Sequence, residues 1–327
     1  LKAVSGRTLP DAALRRKYMK KIALFIALLS IFGAGCKQAP KQQEQEQKPL
    51  ILTSIYPYEL LVKQLVGDAI QVRSLIPPTA SVHSYSPQPS DLSDLHKADL
   101  IITNGLGLEA MIEQNLSIMK DKHLVCAELL YDSIALDSLN QVRDNLMHQH
   151  ETEEEHHEHI GADPHLWTSI QMMSKLSTKI KNELVTRFTD YAPLINHNYE
   201  LMQAELKQAD EQIKRERAEL QQPALVTYHN SFHYFTRDYD IEYLGWVQSS
   251  PGKEPSAREL TKLGGKIRAH GVKAIFIEPQ QNPKSAQVLA KEYGLKLYTL
   301  DPIGASLKVK TIAELILANW AAMKQAF

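Results

Sequence analysis

Four side chains in this sequence could hold a metal ion between them: His83 in "ASVHSYSP", His165 in "DPHLW", His229 in "TYHNSF" and Asp301 in "TLDPIG". Ligands of open α/β sheets bind beyond the carboxyl ends of strands, and the four positions fit that rule. His83 follows a predicted strand ending at Ile76, His229 ends "ALVTY" and Asp301 ends "KLYTL", while His165 lies in a loop after a histidine-rich run. Three imidazoles and a carboxylate suit tetrahedral Zn²⁺, a borderline-soft ion that accepts nitrogen and oxygen. Each residue also has a plainer reading. His83 could be a solvated loop residue, His165 a ring stacked on Trp167 or a helix cap, and His229 the first turn of a helix. Asp301 before Pro302 and Gly304 is a natural turn former. His96, His123, His197, His233 and His270 fall within predicted helices or beside charges and are read as structural.

The histidine-rich run "HQHETEEEHHEHIGADPHLW" gathers six of the chain's 13 histidines with five glutamates. Residues 148–159 have no apolar periodicity and many like charges, which predicts a mobile, solvated loop. His148, His150, His156, His157 and His159 would make it an auxiliary, weak metal-binding loop, able to capture, sense or deliver zinc.

A body able to hold such a site is affordable. At 327 residues, with 43% hydrophobic and 23% charged side chains, the chain exceeds one usual core, and two lobes are expected. Lys plus Arg at 37 against Asp plus Glu at 38 points away from a nucleic-acid binder. The N-terminal "MKKIALFIALLSIFGAGC" has the cationic start, short apolar run and small residues of a secretory signal. Its apolar run, Ile22 to Phe32, falls short of the roughly 20 residues that span a bilayer. Gly33, Ala34 and Gly35 before Cys36 resemble a bacterial lipobox, in which the cysteine is lipidated. Residues 1–18 then read as an upstream extension from a start codon placed too early, 19–35 as signal, and 36–49 as a polar, lipid-anchored tether. The location expected is extracytoplasmic, anchored to a bacterial membrane on its periplasmic side or at the cell surface. With Cys126 the only other cysteine, no intramolecular disulfide forms once Cys36 is modified.

From Leu50 the pattern alternates strand and helix, which implies parallel sheets covered by helices. "PLILTSIY", "IQVRSLIP", "DLIITNG" and "HLVCAEL" read as strands, with a helix predicted over Leu108 to Ile118. Residues 50–190 make a first α/β lobe. A polar helical pattern over 191–222, ended by Pro223, reads as a spine between lobes. Residues 223–327 make a second lobe with strands at "ALVTYHN", "IEYLGWV", "VKAIFIEPQ" and "KLYTLDPIG". The closing helix carries Ile312, Leu315, Ile316, Asn319, Trp320 and Met323 on one stripe.

Seven ordered segments, "IPPTASVHSYSPQPSDL", "NGLGLE", "DPHLW", "YHNSFHYFTRDY", "SSPGKEPSARELTKL", "VKAIFIEPQ" and "LYTLDPIG", resemble the ZnuA-like, cluster A-I solute-binding lipoproteins of metal ABC transporters. The resemblance runs from Leu50 to the C-terminus. It implies two (β/α)₄ lobes, each with a four-stranded mainly parallel sheet, joined by a long rigid helix. Its metal positions fall on His83, His165, His229 and Asp301. It implies Zn²⁺ as the transported ligand, an ABC permease and its ATPase as partners, and a monomer. Zinc-binding members of that family carry histidine at the third position, where manganese members usually carry glutamate. Nitrogen donors suit zinc, and oxygen donors suit manganese. A manganese- or iron-binding member is the alternative within the family.

A zinc hydrolase is the rival of another class. Catalysis needs an open coordination position and a base, whereas Asp301 would close the site, and "HExxH" is absent from the sequence. Glu278 in "IEPQ" is the one base candidate at a strand end and is read as structural. No adhesive module is evident.

Overall fold

The computed structural model describes residues 48–135, 163–248 and 254–327. Cys36, the signal-like segment, the tether up to residue 47 and the histidine-rich loop lie outside the described residues.

Two four-stranded sheets, all parallel, form the frame. The first contains β1 (Leu50–Thr53), β2 (Gln71–Ser74), β3 (Leu100–Thr103) and β4 (His123–Val125) in the order β2-β1-β3-β4. The second contains β5 (Ala224–Thr227), β6 (Glu242–Trp246), β7 (Ala274–Ile277) and β8 (Lys296–Thr299) in the order β6-β5-β7-β8. Composition explains the order. The central strands read "LILT", "LIIT", "ALVT" and "AIFI", apolar on both faces as a doubly covered parallel strand requires. The mixed sequences "QVRS" and "KLYT" stand at edges.

Side-chain alternation sorts these strands between cores. Ile51, Leu100, Ile102, Leu225 and Phe276 enter one central cluster shared by both sheets. Their neighbours turn outward: Leu52 and Ile101 pack with Leu95 and Leu116 on the far face of the first sheet. Val226 and Ile275 pack with Leu263 and Leu289 on the far face of the second.

Four helices carry the central cluster from one sheet to the other: α1 (Tyr56–Val66), α5 (Ile170–Arg187), α6 (Ala192–Ala218) and the C-terminal α10 (Ile312–Lys324). The remaining helices are α2 (Pro89–Lys97), the single turns α3 (Glu113–Leu116) and α4 (Cys126–Leu129), α7 (His233–Asp238), α8 (Ala257–Ala269) and α9 (Lys284–Tyr293). Among the described residues no helix is long and apolar enough to cross a membrane.

The 27-residue α6 is the spine. It buries Ile195, Met202, Leu206, Ala209 and Ile213, a stripe at steps of three, four and seven residues. Early in the helix, Asn198 Nδ2 donates to Leu65 O at 3.1 Å and Glu205 accepts from Gln64 at 2.9 Å, both from α1. Late in the helix, Tyr239 Oη donates to Asp210 at 3.0 Å, and Glu216 accepts from the Trp320 indole at 2.6 Å. The polar residues that masked this helix as solvent-facing are its bolts to either side.

Three boundaries differ from the sequence reading. Over Leu108 to Ile118 there is no continuous helix but a 3₁₀ turn, Ala110–Ile112, followed by α3. Gly105, Leu106 and Gly107 hold positive φ just before it, and Glu109 turns back to accept from Asn104 and Gly105 N–H. The strand at "HLVCAEL" stops at Val125, because Ala127 N–H bonds Asn104 O and starts a helical turn. The spine ends at Ala218, where Leu220 N–H closes a tight turn on Arg217 O and Gln222 adopts φ of 43° before Pro223.

Leu206 sits where the spine meets both sheets' shared core and is 1% exposed. Leu206→Ala is expected to cost about 2–5 kcal/mol of stability. Urea unfolding measures it, and a change below 1 kcal/mol would mean that the spine does not carry the core.

Candidate metal centre

Each histidine reaches the cleft from a strand end or helix start whose backbone is bonded in place. After β2, Leu75 and Ile76 N–H continue the pairing to Thr53 O and Ser54 O at 2.7 and 3.0 Å. A chain of turns then carries His83, and Tyr85 Oη fastens it to Asp91 of α2 at 2.6 Å. His165 precedes a short 3₁₀ turn, Leu166–Thr168, whose Thr168 donates N–H and Oγ–H to His165 O. Ser169 then caps α5 by accepting from Met172 N–H at 3.1 Å. Trp167 Nε1 donates to Pro302 O at 3.0 Å, which ties this turn to the loop after β8. His229 follows β5, and its carbonyl accepts from Thr227 Oγ1 at 2.7 Å and Tyr243 Oη at 3.2 Å.

The three imidazoles converge through their Nε2 atoms. His165 Nε2 lies 3.3 Å from His83 Nε2 and 3.2 Å from His229 Nε2. The three form the one cluster of metal-ligating side chains among the described residues, with all ligand atoms within 4.8 Å of one another. Two nitrogens each 2.0–2.1 Å from a tetrahedral zinc stand about 3.3 Å apart, so the spacing is that of a coordination sphere.

Carboxylates stand behind two of the three rings. His165 Nδ1 lies 2.6 Å from Asp163 Oδ1, whose carboxylate accepts and never donates. The Nδ1 therefore donates to Asp163, which turns Nε2 of the ring toward the other two imidazoles. Glu278, after β7, places Oε1 2.6 Å from His229 Nδ1, close but not aligned as a hydrogen bond, and the same oxygen accepts from Ser231 Oγ at 3.0 Å. Burial, then the neighbouring His165 and His229, pushes His83 down to about 2, so its ring is neutral. Burial disfavours the His229 cation, but the charge of Glu278 outweighs it and raises that pKa. Burial likewise acts against the Asp163 carboxylate, and its bonds from His165 more than offset it. Such a set of donors is built for a cation held between them.

Asp301 stands apart from this cluster. It is 1% exposed, and each of its oxygens accepts two hydrogen bonds. Gly304 N–H at 2.8 Å and Gln280 Nε2 at 3.1 Å reach Oδ1, while Ser306 N–H at 2.7 Å and Ser306 Oγ at 2.8 Å reach Oδ2. Asn319 of α10, read from sequence as a core position, pins the backbone by accepting from Asp301 N–H and donating to Asp301 O. Gly304 is required here, since at φ of 89° a Cβ would meet Leu315 Cδ1 at 3.0 Å. The structure brings His83, His165 and His229 together and leaves Asp301 bonded to its own turn.

A model of the family "ZnuA: Zinc-uptake complex component A periplasmic" matches residues 51–326. The chain belongs to this family. It is a family of solute-binding proteins rather than enzymes, and its members are components of ABC transporters. The zinc-binding protein AdcA of Streptococcus pyogenes is 26% identical over 289 residues, 87% of this chain. This chain spans only 56% of that relative's length. The high-affinity zinc uptake system protein ZnuA of Haemophilus ducreyi is 29% identical over 272 residues, covering 80% of this chain and 87% of that one. Among solved structures, a ZnuA deletion mutant with zinc bound superposes with a TM-score of 0.68 at 26% identity, over 85% of this chain and 97% of that chain.

Asp163 was not singled out from sequence, although its place two residues before His165 in "DPH" was a usable signal: a carboxylate there can reach back to the ring. Glu278 was noticed as a possible base, and its contact with His229 gives it an orienting role in the ZnuA-type site. Removing either carboxylate frees a ring to rotate. Asp163→Asn and Glu278→Gln are each expected to weaken divalent-metal binding by about 10- to 100-fold. Competition with a chromophoric chelator reads this, and wild-type affinity in both variants would remove the orienting role.

Proposed function

We propose that the chain captures Zn²⁺ between its two sheets and delivers it to an ABC permease, with its ATPase, for import. The observation that carries the reading is the convergence of three imidazole Nε2 atoms, His165's at 3.2 and 3.3 Å from the other two, with carboxylates behind two of the rings. A purely nitrogen cluster favours zinc over manganese, which prefers oxygen. Asp301 is the fourth donor proposed, and it would have to give up one of its present hydrogen bonds to serve. The metal is cargo here, so coordination has to be strong enough to capture it and still reversible.

Residues 148–159 fit the same reading as a low-affinity antechamber. Ordering them round an ion costs on the order of 1–2 kcal/mol for each backbone residue fixed. Ligands already held by strand ends escape that cost, so the loop binds more weakly. A single titration of metal-free protein tests both statements. Wild type is expected to take one tight zinc plus weak equivalents; His165→Ala loses the tight one; deletion of 148–159 loses only the weak ones. Tight binding that survives His165→Ala would sink the site, and its loss in the deletion would mean that the loop supplies a principal ligand.

Cys36 is proposed as the lipid anchor, with 36–49 as the tether that lets the body reach a permease. Stable anchoring needs more than one acyl chain. Cys36→Ser is expected to move the protein from the membrane to the soluble fraction in the native host, and retention at the membrane would count against the anchor.

A further inference from the structure

We propose that Gln280 is a positioning residue for the fourth metal donor: its amide occupies the lone-pair site on Asp301 that a metal ion would take. The inference rests on the three-histidine metal reading above. A carboxylate offers about four acceptor sites, and all four on Asp301 are filled. Three of the donors, Gly304 N, Ser306 N and Ser306 Oγ, come from Asp301's own turn and cannot leave without unmaking it. The fourth is the Gln280 side chain, the longest of the set at 3.1 Å against 2.7–2.8 Å. It comes from the loop after β7 and lines the cleft beside His83, His165 and His229.

The clamped amide is also incompletely satisfied. Gln280 Nε2 shares its protons between Asp301 and Pro78 O, the latter at a long 3.3 Å, and Oε1 is buried without a hydrogen-bond partner. A buried carbonyl left unpaired is costly, so the clamp is held below its hydrogen-bonding optimum and can be displaced. Pro78 opens the loop that carries His83. One amide therefore joins the base of that loop to Asp301, across the cleft that the metal enters. While it stays, Asp301 is an acceptor for protein donors only. When it leaves, Oδ1 gains a free lone pair with no rearrangement of the Asp301 turn, and the site changes from three nitrogens to three nitrogens and an oxygen.

The consequence is a control on metal preference. An added oxygen donor benefits manganese more than zinc. Gln280→Met keeps the side-chain volume and removes the donor. Full-length protein is stripped with a chelator, and its affinities for zinc and manganese are measured by chelator competition for wild type, Gln280→Met, Gln280→Leu, Asp301→Asn and Gln280→Met with Asp301→Asn. Gln280→Met and Gln280→Leu are expected to raise manganese affinity roughly tenfold, the scale of one hydrogen bond to a charged group no longer displaced, and zinc affinity by less. On the Asp301→Asn background the gain should vanish, a coupling that a merely structural Gln280 would not produce. Equal or weaker binding of both metals in the two Gln280 variants with circular dichroism unchanged, or a gain that survives Asp301→Asn, would overturn the clamp while leaving the three-histidine site standing. Wild-type zinc binding indifferent to His165→Ala would overturn both.

Discussion

Three imidazoles are crowded together with the Nε2 of His165 3.2 and 3.3 Å from those of His229 and His83, and the rest of the molecule answers to that constraint. Free in water, such rings would rotate away or take up protons. Here the escape routes are closed one by one. Asp163 holds the Nδ1 of His165, Glu278 stands behind His229, burial denies His83 its proton, and the backbone beneath the rings is tied by hydrogen bonds. The unfavourable arrangement is kept because large, independent packing terms elsewhere outweigh it. A local cost of this kind marks a functional site rather than a core.

Holding the rings still requires that the two sheets not drift. His83 hangs from the first sheet, His229 from the second, and His165 from the turn that opens α5. A hinge between the sheets would dissolve the cluster. The shared apolar core and the α6 spine supply the opposite: Leu206 and Ile213 on the spine, Trp167 beside His165 and Phe276 of β7 belong to one buried cluster. Trp167 serves twice, filling that core while its indole N–H reaches Pro302 in the Asp301 loop. Stability and site geometry are thus the same contacts seen from two sides.

The parallel strands and the histidine trio were legible in the sequence for physical reasons. Doubly apolar runs such as "LIIT" and "AIFI" can only be central parallel strands, and a histidine just beyond such a strand lies at the sheet's ligand-binding edge. The stretch from Leu108 was misleading because its helix-like spacing ignores Gly105 and Gly107, whose positive φ and Glu109's return bonds break the chain into turns. Asp163 was hidden for a different reason. Its role depends on the ring of His165 folding back over two residues, a rotamer that residue spacing permits but does not require. Gln280 was invisible, since its meaning comes from Pro78 and Asp301, residues distant in sequence and brought together only by the fold.

Charge balance explains why a clamp on Asp301 fits a protein that must let its cargo go. A dication among neutral imidazoles, with the carboxylates of Asp163 and Glu278 behind two of them, is locally neutral. Burying a neutral assembly costs far less than burying a charged one. Admitting Asp301 adds a negative charge and a further bond, which deepens capture and slows release. Kept in its turn, Asp301 has its charge met by four donors and does not grip a departing ion. The longest of those four bonds is the one from Gln280, in the loop after β7. Three donors that belong to the turn keep Asp301 in place, and one that belongs to the neighbouring loop after β7 decides whether it acts.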